Sequence, residues 1–293
     1  MSTQALTDVS AGLNFELSEE HLMIQKAARD FAQNELKPGV IERDEHQKFP
    51  TEQVKMMGEL GFLGMMVDPK YGGGGMDTIS YVLAMEEISK VDASCSVIMS
   101  VNNSLVCWGL QTFGTEEQKQ KYLPKLGSGE WLGCFGLTEP DHGSNPAGML
   151  SNFKDAGDHV VLNGSKMWIS NAPYAQVAVV WAKNENGEVR GLILERGMEG
   201  FSTPTTHGKW SLRASATGEL VFDNVKVPKE NILPNVKGMK GPLSCLTKAR
   251  YGIAWGALGA AMDCYDTALR YSKERIQFDR PIGGFQLQQK KLA

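Results

Sequence analysis

The sequence predicts an α+β protein with an N-terminal helical domain, a central antiparallel β-domain and the start of a C-terminal helical bundle. Apolar residues recur at helical spacing before about residue 130 and again after about residue 240. Between these positions, short apolar runs flank Asn-Gly pairs, a pattern typical of β-hairpins. We therefore expect an all-α domain over residues 1–130, a β-barrel or sandwich over 131–240, and an incomplete bundle over 241–293.

The first helix is predicted to begin after Ser18, whose hydroxyl can cap the first turn. Glu19 and Glu20 carry the negative charge that a helix N-terminus favours, and an apolar stripe follows up to Phe31. Pro38 is expected to stop this helix.

Three further helices are predicted before the β-domain. One opens at Pro50 and ends at Gly61, and the next carries an apolar stripe over residues 81–88. Thr115 and Gln118 have the spacing of a capping box, which predicts the start of a fourth helix.

Two hairpins are predicted in the middle third of the chain. The first joins residues 160–162 to residues 167–169 through Asn163-Gly164. The second joins residues 177–181 to residues 192–194 through Asn186-Gly187, and residues 220–227 add another strand.

A long helix is predicted over residues 243–273. Three glycines near one face of it would permit close packing against another helix: Gly252, Gly256 and Gly259. Pro281 breaks the pattern, and a new helix starts near Phe285. Because this helix reaches Ala293 without a stop signal, we expect the chain to be a truncated product.

Composition excludes several classes of protein. Hydrophobic residues make up 42% of the chain and charged residues 22%, which is ordinary for a soluble globular protein. The net charge of -4 opposes binding to nucleic acid, and no run of ~18 apolar residues predicts a membrane span. Residues 1–14 resemble neither a signal peptide nor a mitochondrial presequence, so we expect a cytoplasmic location.

Cysteine, histidine and glycine patterns give no chemistry on their own. The five cysteines are expected to be reduced thiols in the core, and the five histidines lack the pairing of a metal site. Residues 72–75 are all glycine, but the segment fits neither a dinucleotide-binding nor a P-loop motif. The residues alone therefore leave the ligand open.

Four motifs, in order along the chain, give it a resemblance to the acyl-CoA dehydrogenases. They are FGLTEPDHGS at residues 135–144, KMWISN at 166–171, ARYGIAWG at 249–256 and ERIQF at 274–278. The resemblance implies an FAD-dependent α,β-desaturation of an acyl-CoA thioester. In that reaction a carboxylate removes the α-proton, and the β-hydrogen leaves as hydride to the flavin.

The resemblance also implies which residues form the site. Residues expected to contact FAD are Phe135, Leu137, Thr138, Ser144, Trp168, Ile169 and Ser170, with Arg275 and Gln286 reaching the cofactor of a neighbouring subunit. Residues expected to contact substrate are Ser96, Ser144, Leu243, Thr247 and Arg250. Asp279 departs from the family pattern, which has glycine there, and places a carboxylate close to the position expected for the pyrophosphate.

No catalytic residue is assigned. In most of the family the general base is a glutamate that would fall beyond Ala293, and in some branches it precedes the arginine matched by Arg250. That second position is Ala249, so the chain as given is expected to lack its base and not to turn over acyl-CoA. Flavin binding is likewise expected to need a completed C-terminal bundle.

The two halves of the chain resemble different relatives. Residues 97–105 are similar to short-chain, butyryl-type enzymes, whereas residues from Cys134 on are similar to glutaryl-CoA dehydrogenases. Ser96 stands where the glutaryl enzymes have an arginine that reads the distal carboxylate. We therefore expect a short neutral acyl-CoA, with glutaryl-CoA as the other candidate. A natural join and a chimera both remain open.

Three functions follow from these observations. The first is an acyl-CoA dehydrogenase that assembles as a homotetramer and passes electrons to an electron-transfer flavoprotein, both implied by the resemblance. The second is a catalytically inactive acyl-CoA or flavin binder. The third is a structural fragment that binds no flavin.

Overall fold

The computed structural model describes residues 15–293. The expectation for residues 1–14 therefore lies outside the described part of the chain. Over the described residues the order of elements is helical, then sheet, then helical, so the predicted α+β class is confirmed.

From residue 15 on, seven α-helices precede the sheet: Glu19–Phe31 (α1), Val40–Glu45 (α2), Thr51–Glu59 (α3), Thr78–Ser89 (α4), Ala93–Ser100 (α5), Trp108–Phe113 (α6) and Glu116–Gly127 (α7). A π-helical segment, Ala32–Leu36, continues α1, and a second, Val101–Cys107, joins α5 to α6. The predicted caps are confirmed. Ser18 accepts a hydrogen bond from the backbone of His21, and Thr115 forms a capping box with Gln118.

The helix α4 is the centre of the helical domain. Ten of its twelve residues, from Ser80 to Ser89, are buried, because α1, α5 and the long C-terminal helix all pack against it. The stretch Ala93–Phe113 is long and apolar enough to cross a membrane by length and composition, yet most of it is buried in this core.

The middle of the chain forms a curled sheet of eight strands: Gly133–Gly136 (β1), Asn152–Asp155 (β2), His159–Ser170 (β3), Val177–Lys183 (β4), Val189–Glu195 (β5), Phe201–Ser202 (β6), Thr205–Thr206 (β7) and Thr217–Pro228 (β8). The strand order is β1-β4-β2-β3-β8-β6, with β5 also on β4 and β7 also on β8. The hairpin β4–β5 and the strand β8 were both predicted, and both are confirmed.

Two details of the β-domain differ from the prediction. The sheet is not wholly antiparallel, because β1 runs parallel to β4, with Gly133 opposite Val177, and β2 is also parallel to β4. The prediction of a hairpin turn at Asn163-Gly164 is wrong, because β3 continues through these two residues. Gly164 instead occupies a bulge with φ +128°, where a Cβ would lie 2.6 Å from Ser151 Oγ. The glycine thus permits a close approach of two segments of the chain rather than a turn.

The C-terminal helix, Lys240–Glu274 (α8), has 35 residues and is about 52 Å long. Its glycine face packs closely on the helical domain, as predicted: a Cβ on Gly252 would lie 2.7 Å from the ring of Tyr81. The opposite side leaves several large apolar side chains exposed: Leu243, Tyr251, Ile253, Leu258, Met262, Tyr265 and Tyr271. A two-stranded hairpin, Ile276–Gln277 (β9) with Arg280–Pro281 (β10), and a last helix, Gln286–Leu292 (α9), follow.

The cysteines are unpaired thiols, and four of the five are buried. Burial raises the pKa of Cys107 and Cys134 to about 12, so these thiols stay protonated at neutral pH. Cys264 is the exception to the predicted core placement, since it lies exposed on α8.

Candidate functional site

A cleft of about 230 Å³ opens where the two β-strand motifs meet the helical domain. Its walls come from the π-helical segment Val101–Cys107, the end of β1 and the loop after it, the end of β3, and α8. Eleven described residues line it: Val101, Leu105, Phe135, Leu137, Thr138, Gly143, Pro146, Trp168, Ile169, Ser170 and Leu246. None of these eleven is charged, so the cleft offers apolar surface with a few hydroxyl groups.

The end of β1 supplies one wall of the cleft. Phe135 and Leu137 are buried, with 7% and 5% of their surface exposed. The carbonyl oxygen of Thr138 accepts a hydrogen bond of 2.8 Å from the backbone N–H of Met167. This bond joins the segment after β1 to β3, so the two sequence motifs form one continuous surface.

Trp168 lines the cleft through an irregularity in β3. The register of β3 against β8 shifts between Lys166 and Ile169, and Trp168 has φ +62°. Positive φ is strained for a bulky aromatic residue, and such strain is concentrated at functional sites. The indole is 57% exposed, in contrast to the fully buried Trp181 of the same sheet. The bulge therefore presents a large aromatic face to the cleft.

Two buried asparagines fix the start of β1. Asn102, on the π-helical segment, accepts a hydrogen bond of 3.0 Å from Gly133 N and donates to the carbonyls of Leu63 and Leu126. Asn171, which follows β3, donates to the Gly133 carbonyl at 3.2 Å. Because one glycine is held from both domains, the position of β1 is set relative to both the helices and the sheet.

A buried ion pair lies directly behind the cleft. Lys166 Nζ is 2.8 Å from Glu139 Oε1, and both side chains are almost completely buried. Glu139 also accepts hydrogen bonds from the backbone N–H groups of Leu150 (2.6 Å) and Ser151 (3.0 Å). This pair ties the loop of residues 139–151 to β3.

The environment fixes the charge state of Glu139. Burial alone would raise the pKa of its carboxyl, but hydrogen bonds from Leu150, Lys166 and Ser151 lower it to about 2. Burial lowers the pKa of the Lys166 ammonium, and its contacts with Glu139 oppose that change. The geometry supports a charged pair, since the carboxylate receives three donors.

The structure brings six of the predicted flavin residues to the cleft: Phe135, Leu137, Thr138, Trp168, Ile169 and Ser170. Ser144 is exposed on the loop between two lining residues but does not itself line the cleft. Arg275 and Gln286 are exposed near β9 and α9, outside the lining. Their predicted role toward a neighbouring subunit stays a prediction.

The predicted substrate residues lie apart from the cleft lining. Ser96 is 2% exposed on α5 and is hydrogen-bonded to Ser89 at 2.9 Å, beside α8. Leu243, Thr247 and Arg250 are exposed on α8. Their contact with substrate stays a prediction.

Sequence reasoning missed several residues of the site. Val101, Leu105 and Leu246 line the cleft, but apolar residues at helical spacing look the same as a core stripe. Glu139 and Lys166 belong to the two motifs, yet nothing in their spacing shows that they form an ion pair.

Models of one protein family match nearly the whole chain. The family models for the N-terminal, middle and C-terminal domains of acyl-CoA dehydrogenase match residues 18–130, 134–225 and 236–293. The short-chain specific acyl-CoA dehydrogenase of Clostridium acetobutylicum is 40% identical over 279 residues, covering 94% of this chain and 74% of the relative.

Two solved structures are similar throughout. A glutaryl-CoA dehydrogenase of Mycobacterium smegmatis in complex with FADH2 is 44% identical with a TM-score of 0.92, covering 94% of this chain and 71% of the other. A chain described with the electron transferring flavoprotein of Acidaminococcus fermentans is 40% identical with a TM-score of 0.93, covering 96% and 75%. The chain belongs to the acyl-CoA dehydrogenase family.

Proposed function

We propose that this protein is an FAD-dependent acyl-CoA dehydrogenase that desaturates a short-chain acyl-CoA thioester. The cleft carries the proposal, because it combines an exposed indole, apolar walls and hydroxyl groups at the junction of the two family motifs. Membership in the family and similarity to a chain bound to FADH2 support the choice of cofactor.

The donor set of the cleft fits a flavin. A flat heteroaromatic ring needs an aromatic or apolar surface on its face and donors at its edge. Trp168 and Phe135 offer the surface, and the hydroxyls of Thr138 and Ser170 offer the donors. FAD, when bound there, supplies the acceptor for the β-hydrogen of the substrate.

The chain's own residues bind, orient and exclude water. Val101, Leu105 and Leu246 give the cleft an apolar side, where hydrogen bonds to developing charge are stronger than in water. None of the eleven lining residues is a carboxylate, so the group that takes the α-proton is not among them. This same observation favours a second candidate, a catalytically inactive binder of flavin and acyl-CoA.

Ser96 supports a neutral acyl tail. It is 2% exposed and hydrogen-bonded to Ser89, at the position where the resemblance implies a carboxylate-binding arginine in the glutaryl enzymes. A glutaryl tail would bring its second carboxylate to a serine instead of that arginine, and burying an unpaired charge costs several kcal/mol. Discrimination of about 10³-fold in favour of butyryl-CoA over glutaryl-CoA follows from such a cost. Ser96→Arg would supply the cation and should shift the preference toward glutaryl-CoA.

An anaerobic titration tests the proposal. The protein, extended by the C-terminal part of a relative and loaded with FAD, is mixed with butyryl-CoA, and the flavin absorbance is followed. Bleaching with a butyryl preference supports the dehydrogenase, whereas acyl-CoA binding without bleaching supports the inactive binder. Failure to bind FAD would rule out both. Glutaryl-CoA bleaching faster than butyryl-CoA would contradict the substrate assignment.

The remaining features are proposed with this function. An electron-transfer flavoprotein as acceptor is supported by the likeness to the Acidaminococcus fermentans chain. Assembly as a homotetramer is supported by the exposed apolar side of α8. Domain boundaries near residues 130 and 240 and the cytoplasmic location stay predictions from the sequence.

A further inference from the structure

We propose that Glu139 and Lys166 act as a positioning pair that holds the walls of the cleft at the separation the flavin requires. This inference rests on the proposed function and adds a role for two residues that do not line the cleft themselves.

Lys166 connects β3 to the segment that follows β1. Its ammonium donates to the Leu137 carbonyl at 3.2 Å and to the Glu139 carboxylate at 2.8 Å. Leu137 lines the cleft, and Lys166 lies on β3 two residues before Trp168. Lys166 therefore links β3 to the segment after β1, and both carry lining residues of the cleft.

Glu139 connects the two ends of the loop of residues 139–151. Its two carboxylate oxygens receive the N–H groups of Leu150 and Ser151, at the far end of the loop that begins at Glu139. Gly143 and Pro146, which line the cleft, lie between these two anchors. One side chain thus closes the loop on itself and fixes the third wall.

An ion pair, rather than two apolar side chains, occupies this buried position. A buried ion pair is often no more stabilising than well-packed apolar residues of similar volume, because both charges lose their hydration. What it adds is direction, since the ammonium and carboxylate must meet specific donors and acceptors. Here those partners are the Leu137 carbonyl and the backbone at the end of the loop. The pair therefore fixes the positions of two segments that carry lining residues of the cleft.

The pair predicts a pH signature. Lys166→Met would leave the Glu139 carboxylate buried without its cation, which raises the pKa of that carboxyl from about 2. Two other titratable groups face the pair: His142, whose Nδ1 is 3.9 Å from Glu139 Oε2, and Lys183, which acts on Lys166 by Coulomb repulsion. Neither replaces Lys166 as a donor to the carboxylate. Lowering the pH should therefore neutralise Glu139 in the variant and weaken its hold on the loop, because a neutral carboxyl is a weaker acceptor for the N–H groups of Leu150 and Ser151.

Hydrogen–deuterium exchange measures the loop directly, without flavin. In Lys166→Met we expect the amides of Leu150 and Ser151 to exchange at least tenfold faster at pH 7, after correction for intrinsic rates. At pH 5 this difference should widen, because Glu139 is neutralised in the variant but stays ionised in the wild type, and in Glu139→Gln combined with Lys166→Met it should not depend on pH. The matched control is Lys229→Met, which removes an exposed pair of similar length (2.7 Å to Asp155) between the end of β2 and the turn that follows β8. This control should change exchange in the loop less than twofold.

Flavin affinity completes the test. The dissociation constant for FAD should rise about tenfold or more in Lys166→Met and remain unchanged in Lys229→Met. Unchanged loop exchange in Lys166→Met, or faster exchange spread evenly over the chain, would overturn the proposal, and so would wild-type FAD affinity in a variant with a loosened loop. If neither the wild-type chain nor the same chain extended by the C-terminal part of a relative binds FAD, the proposed function fails, whereas the exchange data still decide whether the pair positions the loop.

Discussion

Replacement of Gly259 by alanine tests how closely α8 packs on the helical domain. A Cβ at this position would lie 2.2 Å from the carbonyl oxygen of Glu86 and 3.0 Å from its Cα. These are backbone atoms of α4, which cannot rotate away, so one of the two helices must move. At Gly256, on the same face, the nearest atom to a new Cβ is Ser89 Oγ at 3.3 Å, followed by the end of Met85 at 3.5 Å.

The two substitutions should have opposite effects on stability. Both gain about 1 kcal/mol from the better helix propensity of alanine. Overpacking typically costs about 1–3 kcal/mol, and a contact with rigid backbone belongs at the upper end of that range. We therefore expect Gly259→Ala to lower the free energy of unfolding by about 2 kcal/mol, whereas Gly256→Ala should leave it unchanged or raise it by up to about 1 kcal/mol.

Urea unfolding followed by circular dichroism measures the difference. The free energy change comes from the shift in midpoint at a common slope. The reasoning is refuted if Gly259→Ala is as stable as the wild type, or if Gly256→Ala is the more damaging of the two.

Three further predictions concern the site. Asn102→Leu would leave three buried backbone groups without a partner and should lower the free energy of unfolding by about 3 kcal/mol or more. Asn34→Leu, exposed in the other π-helical segment, should stay within about 0.5 kcal/mol in the same urea experiment. The pKa of Glu139 is lowered to about 2 in the folded state, against ~4.3 when unfolded, so its stabilising contribution is complete above the unfolded pKa and is lost as the pH falls toward 2. Urea midpoints between pH 6 and 3 should therefore fall less steeply in Glu139→Gln than in the wild type, and parallel slopes would contradict the assignment. Trp168→Leu should weaken FAD binding by about 0.5–1.5 kcal/mol in a fluorescence titration, whereas Trp210→Leu, 99% exposed and outside the cleft lining, should have no effect.

The sequence predicted the features that depend on neighbouring residues. Ser18 and Thr115 cap their helices as expected, because a cap is decided within four residues. The order of domains and the β4–β5 hairpin also follow from local patterns. Six of the residues that the motifs singled out line one cleft, and their contact with FAD stays a prediction.

What could not be predicted depends on residues distant in sequence. Asn163-Gly164 has the composition of a hairpin turn, but pairing with β8 on one side and β2 on the other keeps β3 continuous through it, with a bulge at Gly164. The parallel pairing of β1 with β4 leaves no local signal at all. The position of Ser96, inside a contact between three helices, depends on where α8 lies.

The π-helical segment Val101–Cys107 also sets how this protein can tolerate changes in length. Each residue of an ordinary helix turns the chain by about 100°, so deleting one residue here would rotate everything before it relative to everything after it. Val101 and Leu105 would leave the cleft, while Asn102 would lose its carbonyl partners. Loops at the surface commonly accept a missing residue, but a deletion in this helix would alter the ligand site and the domain junction together.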